Sequence, residues 1–538
     1  MSGIKRVFLL ILIFIFLLLA AAGCRQQQGG QNSIPEEAAL KNQPLVIRAG
    51  FLGEMKSLDP VKVKTLPELH IAKSIYEGLF SYDGITGQLV PSLVEEWSLD
   101  ESRTSYTFTL KKGVTFHTGR SMTASDVKYS WERFLKKGHA HDLFYIFSRI
   151  EGAEEFLQGK NSEVTGIKAL DDGLLQVQLE SPINSFLDYL THPAASVIDR
   201  QVVELLGERY GSPGSYLAPA PVLVGTGPFS FVEWIDQRLL SVQRFTQYHG
   251  EMSLTDRLEF YFYTDPESLW ADWHGEYLDL GFVGTFPKNE GTSQDRFFES
   301  SLGNEVIFLG FHPGHQPYDL PELRQAVSLA VNREFLAAGV TGAGPMEGLL
   351  PRRLLRERSP LISYRYDPQE ARRLLGDMPE SNLVLSYPLV GDLPSLAEKI
   401  KNQLAAAGLI LELQSFPEES FIQALKAGDL GFYLYYWPIS VPLAESFLDA
   451  NLYFPGHYFS AGFFDQAFHE LREFIQSGAE TDGDRLESLL QLEQMIMNQA
   501  PLIALLEKRN TLITQPGVEI DGEVSGGMIA WGKVAREK

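Results

Sequence analysis

Eleven histidines and a single cysteine give this chain its most versatile side chains. His139 and His141 form a His-x-His, and His312 and His315 form a second close pair, so each could offer two imidazoles to one metal ion. A metal site needs convergent donors held in place by further hydrogen-bonding partners. Neither pair has a neighbouring cysteine or acid-rich cluster, so no metal is assigned. Gly225-Thr226-Gly227-Pro228 is too short to cradle a phosphate and no Lys-Ser/Thr follows it, so it reads as a turn. The sequence contains no Gly-x-Ser-x-Gly nucleophile elbow and no His-Glu-x-x-His helix. With 69 acidic residues, some carboxylate pair always suits hydrolytic chemistry on paper, so spacing assigns none. No catalytic residue and no cofactor is assigned, and the chain is not read as an enzyme.

Cys24, the single cysteine, is informative through what precedes it. Lys5 and Arg6 form a short basic region, Val7 to Ala22 is an unbroken apolar run, and Gly23-Cys24 follows. A basic start, an apolar core and small residues at the end make a secretory signal. A lone cysteine directly after such a site resembles the lipidation cysteine of a bacterial lipoprotein, although Ala21 stands where such signals usually carry Leu. The competing reading is a plain membrane anchor, for which the run is short against a span of about 20 residues. The expectation is a signal peptide at 1–23, a lipid anchor on Cys24, and a flexible Gln-rich tether over 24–43. The body would then work on the extracytoplasmic face of the membrane.

The net charge of −23 is spread along the chain rather than blocked, which favours solubility. With no basic stripe to neutralise phosphates, a nucleic-acid partner is excluded. The 34 Phe, 21 Tyr and 7 Trp must mostly be core, with a minority free to line a ligand cavity. A chain of 538 residues has ample core for two or more lobes.

The elements that must position these residues are legible in part. Leu45-Val46-Ile47 reads as a buried strand, and Tyr106, Phe108 and Leu110 alternate with threonines as a half-buried one. Asp171-Asp172-Gly173 marks a hairpin turn before alternating Leu175, Val177 and Leu179. Thr123 and Asp126 form a capping box, after which Val127, Trp131, Phe134 and Leu135 share a helical face. Leu323, Ala326, Val327, Ala330 and Val331 give a second such face, and Ala397, Ile400 and Leu404 a third. Gly408 stops that helix, and Leu409, Leu411 and Leu413 follow as a strand. This mixture indicates α/β lobes.

Several stretches, in order, resemble the peptide-type solute-binding lipoproteins that serve ABC importers, the extracellular solute-binding family 5. They include Ser57-Leu58-Asp59-Pro60, Ile75-Tyr76-Glu77-Gly78-Leu79-Phe80, Gly113-Val114-Thr115-Phe116-His117-Thr118-Gly119 and Gly225-Thr226-Gly227-Pro228-Phe229. Leu323-Arg324-Gln325-Ala326-Val327, Tyr366-Asp367-Pro368 and Ala500-Pro501-Leu502-Ile503 continue the series. The resemblance implies a periplasmic-binding-protein-like α/β fold of the cluster C type, with two lobes, a hinge and a small extra domain. It implies a basal lobe over 44–60, 182–285 and 504–538, the small domain over 61–181, and a distal lobe over 286–503. Implied partners are a peptide or peptide-like ligand, ABC permease subunits and their ATPase; the protein itself would be a monomer. A sensor or chaperone role on the same fold, binding of a nickel chelate or haem, and last an extracytoplasmic hydrolase are the alternatives left open.

By the same resemblance, Glu54 and Met55 lie in one ligand-facing segment, and Tyr436, Trp437, Pro438, Ile439 and Ser440 lie in another. Phe311 and His312 stand where the family places an aromatic and an Asn at the strand entering the distal lobe. Peptide binders carry an aspartate for the ligand α-amine at the position that falls here on Ser440. A buried ammonium needs a counter-charge, which a hydroxyl does not supply. Either the ligand lacks a free amine, or another acid such as Glu54 or Glu445 takes over, or the register differs around Pro438 and Pro442.

Overall fold

The computed structural model describes residues 44–538, leaving out 85, 139–140, 142, 215, 219–221, 284–296, 341, 352–353, 355–363, 377–382, 439–442, 449–465, 476–481, 521–528 and 537–538. Cys24, His139, Ile439 and Ser440 therefore lie outside the described residues.

One long sheet organises the body. Its strands run in the order Leu411–Phe416, Leu383–Pro388, Phe432–Pro438, Phe297–Phe311, Leu502–Thr514, Leu280–Val283, Val46–Leu52, Arg257–Tyr263, Leu239–Arg244, Phe229–Ile235 and Tyr216–Leu217. Among the described residues two large hydrophobic cores form along it, with a small third cluster of Leu269, Trp270, Trp273, Leu278 and Ile513. The first gathers residues from Ile47 to Phe282 with Leu512, Val518, Ile529, Trp531 and Val534. The second gathers residues from Val306 to Leu506. The long antiparallel pair Phe297–Phe311 and Leu502–Thr514 serves both: Leu502 to Leu506 are buried in the second core and Leu512 in the first. Its register shifts between Glu299 and Gly303, again before Glu305, and once more between Ile307 and Phe308. Such irregularities bend and twist a ladder locally.

A separate four-stranded sheet, in the order Val94–Leu99, Ser105–Leu110, Leu174–Gln178, Ile167–Ala169, packs onto the first core. Its Tyr106, Phe108 and Leu110 are buried on the face the alternation indicates, as are Leu175 and Val177. The buried cluster runs without a break from this sheet into the long one. The helix Ala124–Lys137 starts on Thr123 and Asp126, whose side chains cap each other's backbone, and buries Val127, Trp131, Phe134 and Leu135 completely. The helices Pro321–Ala330 and Leu393–Ala406 bury the apolar stripes that their spacing indicates. Gly408, at a φ of 96°, ends the latter before Leu411–Phe416.

The motif residues are joints between segments distant in sequence. Asp59 and Arg133 form a two-pronged buried ion pair with nitrogen–oxygen distances of 2.7 and 2.5 Å. Glu77 accepts hydrogen bonds from Tyr248, Ser92 and Thr226. Thr226 lies in the glycine turn, and there a Cβ on Gly225 would stand 2.1 Å from the Ile75 carbonyl oxygen. That turn is a packing joint, as its sequence indicates.

Candidate ligand site between the two cores

The first candidate segment, around Glu54, is built by one buried carboxylate. Glu68 opens the helix Leu66–Ile75 and is 1 % exposed. Its Oε1 accepts the backbone N–H groups of Lys56 and Ser57, and its Oε2 those of Lys64 and Thr65. Four donors on one carboxylate fix the turn that follows Val46–Leu52. Within that turn Glu54 is exposed. Met55 points inward: its side chain is fully buried in the first core, and Gln237 holds its backbone at both N–H and C=O.

The second segment is the strand Phe432–Pro438, paired residue for residue with the long strand from Phe311 back to Glu305. Side chains alternate along it. Tyr435 and Trp437 are buried in the second core, while Tyr436 is half-buried on the other face. The Tyr436 hydroxyl donates to Glu418 Oε1 at 2.9 Å. Burial raises the phenol pKa, followed by the nearby Tyr435 and Glu418, so the hydroxyl stays protonated and remains a donor. Glu418 opens the helix Glu418–Ala427, which packs Phe421 against Tyr435. Glu418 Oε2 lies 3.5 Å from Lys56 Nζ, an ion pair between a residue of the Glu54 turn and a helix of the second core.

The structure thus brings the Glu54 turn and Tyr436 together through Lys56 and Glu418. It does not bring Phe311 and His312 to the same place. Phe311 pairs with Phe432 at the opposite end of the ladder from Pro438, about 20 Å away at roughly 3.3 Å per residue. Phe311 stacks flat on Phe432, with centroids 4.6 Å apart, and is buried. The His312 imidazole accepts from the Gly314 N–H, and His315 bonds the Gly428 carbonyl, so this pair fastens the turn after the Glu418 helix. Burial, and then the neighbouring His315, holds the His312 pKa below its ordinary value. Glu445 is buried and paired with Arg485 inside its own half. Among the described residues no cluster of three or more His, Cys, Asp or Glu could hold a metal ion.

Beside the Pro438 end, Glu305 lies across the ladder from both Pro438 and Lys508. Burial raises the Glu305 carboxyl pKa, with Lys508 opposing. Lys508 also meets Asp392 at 2.7 Å; burial works against its charge, but Glu305 and Asp392 outweigh burial and keep it protonated. Sequence reading placed Lys56 in the ligand-facing segment Gly53-Glu54-Met55-Lys56 without giving it a role, and missed Glu418 and Glu305. Glu305 lies six residues before Phe311, whereas Glu418 is 18 residues from Tyr436 and carried no signal in the sequence.

Residues 88–458 match the profile of the bacterial extracellular solute-binding proteins, family 5. The chain belongs to this family. It is 29 % identical to the periplasmic oligopeptide-binding protein OppA of Escherichia coli over 40 % of this chain and 38 % of that protein. Against OppA of Salmonella typhimurium the identity is 21 %, over 90 % of this chain and 91 % of the relative. The solved structure of the murein tripeptide binding protein MppA of Escherichia coli superposes with a TM-score of 0.76 at 20 % identity, covering 92 % of this chain and 99 % of that one. This likeness establishes the two-lobed α/β binding-protein fold. No described helix is long and apolar enough to cross a membrane.

Proposed function

We propose that this protein captures a peptide or peptide-like solute outside the cytoplasmic membrane and delivers it to the permease and ATPase of an ABC transporter. The observation that carries this reading is the pair of separate hydrophobic cores joined by a long, irregular two-stranded ladder, in a chain of family 5. Two rigid bodies on such a joint can close over a ligand as a hinge. A ligand that contacts both cores binds the closed form better and shifts the population towards it. Relatives named for oligopeptide, di/tripeptide and glutathione binding support the choice of a peptide-like solute. On this reading the basal lobe, small domain and distal lobe take the boundaries given above. Glu54, Tyr436 and the segment from Trp437 onward line the ligand, while Met55, Phe311 and His312 support the walls.

The test is mass spectrometry of small molecules released from the purified protein, followed by small-angle scattering with the identified ligand. A bound peptide and a smaller radius of gyration at saturation are expected. No bound peptide, or an unchanged radius, would remove the reading. The lipid anchor is a separate part of the proposal. Cys24→Ala should leave the protein outside the membrane fraction or uncleaved, and a variant processed and fractionating like wild type would refute it.

A further inference from the structure

We propose that Glu418 is the carboxylate that receives an ammonium group of the ligand, and that Lys56 occupies this place when no ligand is there. The inference rests on the peptide reading above and names the chemistry its site selects. It starts from how the buried carboxylates of the protein are used. Asp59 has both oxygens on Arg133. Asp199 accepts from Arg120, Thr118 and the Gln201 N–H. Glu68 has its four backbone donors, and Glu445 its Arg485. Each of these carboxylates has at least one oxygen at hydrogen-bond distance from a partner within one core, although the buried Oε2 of Glu445 has no partner among the described residues.

Glu418 is different. Its side chain is 28 % exposed, one oxygen is fixed by the half-buried Tyr436 hydroxyl, and the other meets, among the described residues, a lysine that is 65 % exposed and 3.5 Å away. A charge-assisted N–H···O bond is normally about 2.7–2.9 Å long, so this contact is loose. The lysine comes from the opposite core, from a turn whose backbone Glu68 pins while its side chain remains extended into solvent. The result is an oriented, partly desolvated carboxylate between the cores, with a weakly held ammonium as its partner. An ammonium on the ligand could replace that partner at full hydrogen-bond distance without burying any new uncompensated charge. Glu418 is the first residue of its helix, where the helix dipole favours a negative side chain. Two sources share this chemistry, a peptide α-amine and a lysine side chain.

Calorimetry distinguishes them with three probes: trialanine, N-acetyl-trialanine and N-acetyl-Ala-Lys-Ala. Wild type should bind at least one ammonium-bearing probe about tenfold or more tightly than N-acetyl-trialanine. Trialanine as the favoured probe identifies the α-amine, and N-acetyl-Ala-Lys-Ala the side chain. In Glu418→Gln, which keeps an acceptor for Tyr436, that preference should shrink to about threefold or less while N-acetyl-trialanine binds as in wild type. Lys56→Gln should tighten the favoured probe by about threefold, because its competitor is gone. A preference that survives in Glu418→Gln overturns the inference and leaves the peptide reading standing. An equal loss for all three probes, as a closure or folding defect would give, overturns it too. Failure of wild type to bind any probe overturns the inference, while the peptide reading stands or falls by the ligand released from the purified protein.

Discussion

The Asp59–Arg133 pair and the Glu418–Lys56 pair hold the same kinds of charge in opposite ways. Asp59 and Arg133 are buried within one core, with both carboxylate oxygens engaged and the guanidinium near the Tyr210 ring. Glu418 and Lys56 reach across from different cores, touch at a loose distance and face solvent. A buried pair that loses one partner leaves an uncompensated charge, whereas an exposed pair exchanges one partner for water. The first is therefore committed to the fold and the second is available for exchange. The family motifs follow this division. Ser57-Leu58-Asp59-Pro60 and Ile75-Tyr76-Glu77-Gly78-Leu79-Phe80 supply the committed contacts.

The largest effect should come from Arg133→Met, which strands Asp59 in the core and should cost about 3–5 kcal/mol of stability, read from denaturant midpoints. A loss below about 1 kcal/mol would erase the contrast between the two pairs. A double variant that also makes Asp59 apolar should recover part of the loss.

Glu77 offers an intermediate test by pH. Burial pushes its carboxyl up to about 7, against hydrogen bonds from Tyr248, Thr226 and Ser92. The nearby His249 does not compensate, since burial and then Lys111 hold its imidazole down at about 4. Between the unfolded carboxyl pKa of 4.5 and about 7 the folded state binds a proton that the unfolded state has released. The stabilisation is complete below 4.5 and is lost as pH rises through 7. Glu77→Gln should flatten this slope and leave the variant relatively more stable at pH 8 than at pH 5, each compared with wild type. An unaltered pH profile would show that the carboxyl titrates normally. Lys56→Gln should have the smallest effect, within about 1 kcal/mol of wild-type stability. A loss beyond about 2 kcal/mol would make this pair structural and break the comparison from the other side.

Much of the local structure was legible because it depends on neighbours in sequence. Thr123 and Asp126 cap a helix whose apolar face is buried, and the hairpin around Asp171-Asp172-Gly173 forms as its turn residues require. The ordered motifs were enough to indicate the family. The site was legible only in outline. Met55 sits beside Glu54 yet turns into the core, because consecutive side chains in an extended turn point opposite ways and Gln237 fixes which way. Phe311 and Trp437 belong to paired strands but to opposite ends of them, and no periodicity states a register.

Composition, local patterning and the ordered motifs thus determined which helices and strands this chain makes and which family it resembles. Tertiary structure alone decided which carboxylates are consumed and which one is left to a loose partner. The physical reason is that sequence periodicity reports which face of an element is apolar, not what that face meets. Glu418 and Lys56 become neighbours only after two cores have formed on one continuous sheet and set the Glu54 turn against the helix that precedes Tyr436.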